Sequence, residues 1–280
     1  MKAVFRRNTL CISRKNDKIR AHFIRQLPQT YCAVLPWKNV NPQLTKASFK
    51  IGMIQSTKLK EAFIMNQNLT EIVFLLDRSG SMSGLEADTI GGFNSMLEKQ
   101  KKEPGEAILS AVLFDHECEV VYDRVDIRKA EPMSEKQYYT RGSTALLDAL
   151  GGAIRHIVTA HRYAREDDRP GKTIFVITTD GMENSSRRWS YREVQELVEH
   201  EKEVYGWEFL FLGANMDAIS AAGKMGISAD RAVRYEHDSI GTALNFEVVG
   251  EAVCAMRCNA PLDASWKDEI DRDYRRRHRE

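Results

Sequence analysis

Residues 77–81 read Asp-Arg-Ser-Gly-Ser, so a carboxylate and two hydroxyls fall on alternate positions, Asp77, Ser79 and Ser81, around a glycine. They follow the apolar run Ile72–Leu76, whose lack of a polar break suggests a strand covered on both faces. In open α/β sheets, ligands sit at the carboxyl ends of the strands. Three hard oxygens there suit a small divalent cation, magnesium or manganese. Two further loops offer oxygens of the same kind. One is Thr140-Arg-Gly-Ser-Thr144, just before a helix; the other holds Asp180, before Gly181, after a second buried run at 173–178. Taken singly, Ser79 or Ser81 reads as a turn residue, Thr144 as a helix cap and Asp180-Gly181 as a turn. Together, at the ends of successive strands, they read as one metal site.

The elements that must position these groups alternate along the chain. Strand 71–76 leads to helix 84–101, for which Ser83 and Glu86 supply a capping-box pattern. Strand 107–114 runs into Asp115-His116 and pairs as a hairpin with strand 118–122. Helix 144–164 carries Leu147, Leu150, Ile154, Ile157 and Val158 on one face. Strand 173–178, helix 191–204 capped by Ser190 and Glu193, strand 208–212, a short helix near 217–225 and a helix at 239–257 complete the pattern. Such alternation predicts an α/β fold with a doubly wound, mostly parallel sheet flanked by helices.

The 280 residues carry 41 Lys/Arg against 40 Asp/Glu, but unevenly. Residues 1–64 hold 13 basic and 2 acidic residues, a net of +11, which leaves −10 for the remainder. An acidic main body argues against nucleic-acid binding. Residues 1–64 have no sustained periodicity and contain Pro28, Pro36 and Pro42. They are expected to be a basic extension outside the folded domain. It is disordered, or a start assigned too far upstream of Met53 or Met65, with a basic arm or a transit peptide as alternatives. Residues 258–280 are expected to be a charged tail or a solvated helix end. The five cysteines, Cys11, Cys32, Cys118, Cys254 and Cys258, lack a second zinc-ligand pair and read as core thiols of a reducing, cytoplasmic compartment. No apolar run reaches the length of a membrane span, and no secretory signal is visible.

Asp77-x-Ser79-x-Ser81, followed by Thr144 and then Asp180, resembles the von Willebrand factor type A (VWA) domain and its metal-ion-dependent adhesion site. The resemblance extends through Asp77-Arg-Ser-Gly-Ser-Met82 and Arg141-Gly-Ser-Thr-Ala-Leu-Leu-Asp148 and covers about residues 68–257. It implies that Ser79, Ser81 and Thr144 ligate magnesium or manganese through hydroxyls, while Asp77 and Asp180 act directly or through water. Two carboxylates balance the dication, and a free position is left for an Asp or Glu of a partner protein. It further implies a protein-binding module of the intracellular bacterial type, whose partner could be a separate ATPase. The alternatives are a metal-assisted hydrolase or phosphatase and a structural protein with an idle metal site. A haloacid-dehalogenase-type phosphatase needs a second aspartate where Ser79 stands, and no base is evident beside a nucleophile.

Weaker signals are set aside. Gly171-Lys172-Thr173 ends like a phosphate-binding loop, but residue 166 is Glu and the tripeptide enters a strand, not a helix. Asn68-Leu-Thr70 and Asn184-Ser-Ser186 match the glycosylation sequon by chance. Asp115-His116 reads as a hairpin turn that could flank the metal face. Asp148 is expected to support the Thr144 loop or face solvent. Arg78, Met82 and Met182 are expected at the rim, and Trp189 as part of a contact surface.

Overall fold

The computed structural model describes residues 65–215 and 217–278. The expectations for residues 1–64, including Cys11 and Cys32, lie outside the described residues. Strand β1 (Asn66–Asp77) is buried without interruption from Thr70 to Asp77. Its alternate side chains enter two different cores. Ile72, Phe74 and Leu76 pack with Phe93, Met96 and Leu97 of helix α1 (Glu86–Lys102) and with Val249 and Val253 further along the chain. The rings of Phe74 and Phe93 meet edge to face at 5.5 Å. Val73 and Leu75 face Leu150 and Ile154 of helix α2 (Leu146–Tyr163). Each such side chain contributes about 1.5–3 kcal/mol by burial, so a strand with both faces covered is the fixed centre of the molecule. Glu71 is the polar exception. Its carboxylate accepts from Arg124 Nε at 2.8 Å and pairs with His161 Nε2, so the buried charge is compensated.

The remaining elements are β2 (Glu106–Phe114), β3 (Cys118–Asp126), β4 (Pro170–Thr179), α3 (Tyr191–Tyr205), β5 (Glu208–Gly213), α4 (Ala218–Lys224), β6 (Ala232–Arg234), α5 (Ser239–Arg257) and α6 (Asp268–Arg277). The six strands lie in the order β3-β2-β1-β4-β5-β6. All neighbours are parallel except the β2–β3 hairpin. Helices α1 and α5 lie against one face; α2, α3 and α4 lie against the other. This is the doubly wound α/β architecture that the alternating elements predict. The chain leaves β1 toward β2 on one side and later returns to β4 on the other. The strand order therefore reverses at β1, which opens a crevice above its carboxyl end. The sheet edges are uneven. β3 shifts register twice against β2 and carries Arg124 at φ 51°, while β6 is three residues long.

Three local expectations are corrected. Leu85, not Ser83, is the N-cap of α1, and it makes no side-chain cap. Glu86 is diverted instead: its carboxylate accepts from Gly84 N at 2.7 Å and from Thr140 Oγ1 at 2.6 Å. Within the expected tail, 258–280, residues 264–277 are not merely solvated, because α6 buries Ile270 and Lys267 Nζ donates to the carbonyls of Ala229 and Ala232 beside β6. A lone isoleucine among charges makes no apolar stripe, so the packing was invisible in the pattern. The three described cysteines are not core thiols: Cys118 and Cys258 are exposed and Cys254 is half-buried. Cys118 opens an edge strand and Cys258 ends α5, where burial stops. The capping box at Ser190 and Glu193 forms as expected, and Gly206 closes α3 in the left-handed region at φ 67°.

Candidate metal centre

The backbone brings two loops together before any side chain acts. Beyond β1, Gly80 N donates to Gly142 O at 3.0 Å and Arg141 N donates to Arg78 O at 2.8 Å. These bonds join loop 77–81 to loop 140–144. Position 142 favours glycine by its backbone, and a side chain there would also displace the His116 ring. Its φ is +68°, and a Cβ there would lie 2.1 Å from His116 Nδ1. The third loop is held by Asn184 and Ser185, whose backbone N–H groups donate to Thr144 O at 3.1 and 3.2 Å. In return, the Asn184 side chain accepts from Thr144 N at 3.0 Å.

The hydroxyls and carboxylates converge on this frame. Ser79 Oγ and Ser81 Oγ are 3.1 Å apart, and Ser81 Oγ donates to Asp180 Oδ1 at 2.6 Å. A Cβ on Gly181 would stand 3.0 Å from Thr144 Oγ1 and 3.4 Å from Ser81 Oγ, so Gly181 borders both hydroxyls. Asp77 works differently from Asp180. Its Oδ1 accepts from Ser79 N at 2.7 Å and its Oδ2 from Thr179 Oγ1 at 2.5 Å, so both oxygens already have protein donors. Asp180 is 2% exposed, and its Oδ2 is buried with no hydrogen-bond partner. Ser81 is exposed and gives the cluster its opening, whereas Asp77, Ser79, Thr144 and Asp180 are buried.

These residues fit a small hard dication. Two ligands of one octahedral ion at about 2.0–2.1 Å stand roughly 3 Å apart, close to the separations among Ser79, Ser81 and Asp180. The second Asp180 oxygen is a further sign: it is buried without a hydrogen bond, His237 Nε2 stands 3.5 Å away, and a dication would satisfy it directly. Electrostatics agree. Burial raises the Asp77 carboxyl to about 6, against the lowering by Thr179 and Ser79, and the nearby Asp180 charge adds to the rise. A dication relieves that strain.

Residues that the sequence placed at the rim, or did not single out, support the cluster from below. Arg78 is fully buried, not at the rim, because its guanidinium is needed inside: Nε donates to Asp115 Oδ2 at 2.8 Å and Nη1 to Glu119 Oε2 at 2.6 Å. Arg141 Nε reaches the same Asp115 oxygen at 2.9 Å. Asp115 O also accepts from Ala145 N at 2.8 Å. Burial alone would raise the Asp115 carboxyl, but bonds from Glu117 N, Arg141 and Arg78 outweigh it and hold it below the usual carboxylate range. Asp115, His116 and Glu117 bring ligand atoms within 4.8 Å of one another, yet the Asp115 charge is already taken by two arginines. Met82 is buried too, while Met182 is 70% exposed. Asp148 accepts from the N–H groups of Arg187, Arg188 and Trp189, so it fixes the loop beyond Asp180. Trp189 is half-buried against Gly151 and not freely presented.

No protein-family model matches the chain, and no curated protein does. Solved structures do. Proximal thread matrix protein 1 from the mussel byssus, whose metal-ion-dependent adhesion site is occupied by zinc in that structure, is 16% identical with a TM-score of 0.47, over 68% of this chain and 47% of its own. The ArnB paralog VWA2 of Sulfolobus acidocaldarius is 18% identical with a TM-score of 0.42, over 65% and 45%. The vWF domain of the type V pili tip protein Mfa5 from Porphyromonas gingivalis is 11% identical with a TM-score of 0.48, over 66% and 94%. The chain spans about half the length of the first two.

Proposed function

We propose that this chain is a VWA-type binding module that holds one magnesium or manganese ion and captures a partner protein through an Asp or Glu carboxylate. One observation carries the reading. Ser79 Oγ and Ser81 Oγ stand 3.1 Å apart, Ser81 Oγ is 2.6 Å from Asp180 Oδ1 on a separate loop, and the other Asp180 oxygen is buried with no hydrogen-bond partner. Ser79, Ser81, Thr144 and Asp180 would hold the ion. Asp77, whose oxygens are taken by Ser79 N and Thr179, orients the loop and balances charge. When bound, the dication supplies a positive centre that an incoming carboxylate can join.

The chain's own residues favour binding over turnover. The hydroxyls of Ser79 and Ser81 contact each other, and Ser81 Oγ donates to Asp180; among the described residues neither is hydrogen-bonded to a histidine side chain as a nucleophile–base couple needs. The open side at Ser81 admits a side chain from another molecule, and specificity then rests on the loops around it. A cytoplasmic location belongs to the same proposal. It is supported by free thiols at Cys118 and Cys258 that are exposed to solvent.

The test is affinity capture from cell extract with the full chain, with and without chelator, beside an Asp77→Ala variant. Partners retained by the wild type with magnesium, and lost in both other arms, support the reading. A partner that survives chelator and Asp77→Ala alike would make the metal structural. Hydrolysis of generic phosphoesters abolished by Asp77→Ala would replace binding by catalysis.

A further inference from the structure

One nitrogen stands among the oxygens of the metal centre. His237 lies between β6 and α5, far in sequence from the three metal loops. Its Nε2 is 3.2 Å from Ser81 O and 3.5 Å from Asp180 Oδ2. That Asp180 oxygen is the buried atom with no hydrogen-bond partner. The His237 side chain is only 19% exposed, and its Nδ1 is buried without a partner as well. A ring held this way has little to gain from its surroundings. The bond to Ser81 O satisfies one nitrogen at most.

We infer that His237 is a further ligand of the same ion and that it turns an all-oxygen site into one that accepts nitrogen-binding metals. The inference rests on the metal-site reading above and deepens it. Two donors of one ion at about 2.1 Å stand roughly 3.0–3.4 Å apart for octahedral to tetrahedral angles. Nε2 and the unpartnered Asp180 oxygen are separated by nearly that distance, so a small ring movement brings both to one cation once Nε2 gives up its hydrogen and its bond to Ser81 O, with the ring proton on Nδ1. Oxygen-only sets favour magnesium, whereas imidazole suits manganese, cobalt and zinc progressively better. With His237 included, the direct donors are the Asp180 carboxylate, the hydroxyls of Ser79, Ser81 and Thr144 and one imidazole, which leaves a sixth position for a partner's carboxylate and ranks those ions above magnesium at equal concentration.

The role is specific to ligand identity and separable from folding. Asp238, the next residue, caps α5 by accepting from Gly241 N at 2.7 Å, and this contact does not involve the imidazole. Replacing His237 therefore leaves the segment anchored.

The experiment loads the full chain with magnesium, manganese or cobalt in separate titrations, for wild type, His237→Ala, His237→Gln and Asp77→Ala, with thermal melting of each ion-free variant as a folding control. Pulsed electron paramagnetic resonance of the manganese-loaded chain provides a second readout. The inference expects nitrogen modulation in the wild type that is absent in His237→Gln. It also expects cobalt affinity to fall by about tenfold or more in both His237 variants, with magnesium affinity changed less than about threefold. No nitrogen signal in the wild type overturns the inference, as does an equal loss for magnesium and cobalt, which marks a positioning role only. Asp77→Ala separates the two levels. If it binds every ion as the wild type does, the site reading itself falls; if it loses all of them while His237→Ala loses none, only the histidine assignment falls.

Discussion

Arg78 Nε and Asp115 Oδ2 meet at 2.8 Å with neither side chain exposed to solvent. The pair links the turn after β1 to the hairpin turn after β2. Because Arg141 reaches the same oxygen, one carboxylate sets the spacing of loops 77–81 and 140–144. Asp115→Ala leaves Arg78 buried with only Glu119 opposite it. Breaking a buried pair from one side costs about 3–5 kcal/mol, and the remaining partner puts the expectation at the lower end. Urea unfolding should show that loss, with magnesium affinity reduced in parallel. A change below about 1 kcal/mol would mean the pair is dispensable.

Titration calorimetry should find one magnesium or manganese ion per chain. Asp77→Ala should abolish the heat while leaving the circular dichroism spectrum intact, because the residue is the last of β1 and its side chain serves the loop beyond the strand and not either apolar core. Equal affinity in wild type and variant would remove Asp77 from the site.

Stability of the ion-free protein should depend on pH through Asp77. Its folded carboxyl is raised to about 6, above its value in the unfolded chain. The fold thus favours the neutral form. That contribution is fully present below about pH 4 and is lost as pH rises through about 6, a change of roughly 3 kcal/mol at most. In chelator, the stability difference between wild type and Asp77→Asn should shift in the wild type's favour from pH 7.5 to pH 5. Magnesium needs the carboxylate, so its stabilising effect should grow over the same rise in pH. Parallel pH curves for the two proteins would contradict both statements.

Gly181→Ala tests the spacing of the hydroxyls. The added methyl would lie 3.0 Å from Thr144 Oγ1 and 3.4 Å from Ser81 Oγ. Crowding there should lower magnesium affinity by about tenfold or more, the scale seen when groups around a metal ligand are disturbed. The melting temperature should move by only a few degrees. Unchanged affinity would show that the hydroxyls can give way.

The carboxyl-end cluster was legible because strand-end oxygens follow unbroken apolar runs, as at Ile72–Leu76 before Asp77. Asp115 was harder. It follows β2 as Asp77 follows β1, but nothing in its neighbourhood tells that Arg78 and Arg141 converge on it from other loops. His237 carried no signal at all, since β6 is three residues long and offers no periodicity. The Ser83–Glu86 pattern misled for a related reason. Glu86 satisfies Thr140 in loop 140–144, a contact 54 residues away that outweighs the local cap. Long-range charge pairing is where pattern reading stops.

The uneven sheet edges decide how this protein can meet others. A chain that joins a sheet by strand addition needs a continuous, flat row of free backbone groups. β6 ends after three residues, and β3 is broken by two register shifts and studded with Glu119, Asp123, Arg124 and Asp126. Such edges disfavour lateral polymerisation. A visitor that relies on backbone pairing therefore finds little purchase on either flank of the described sheet.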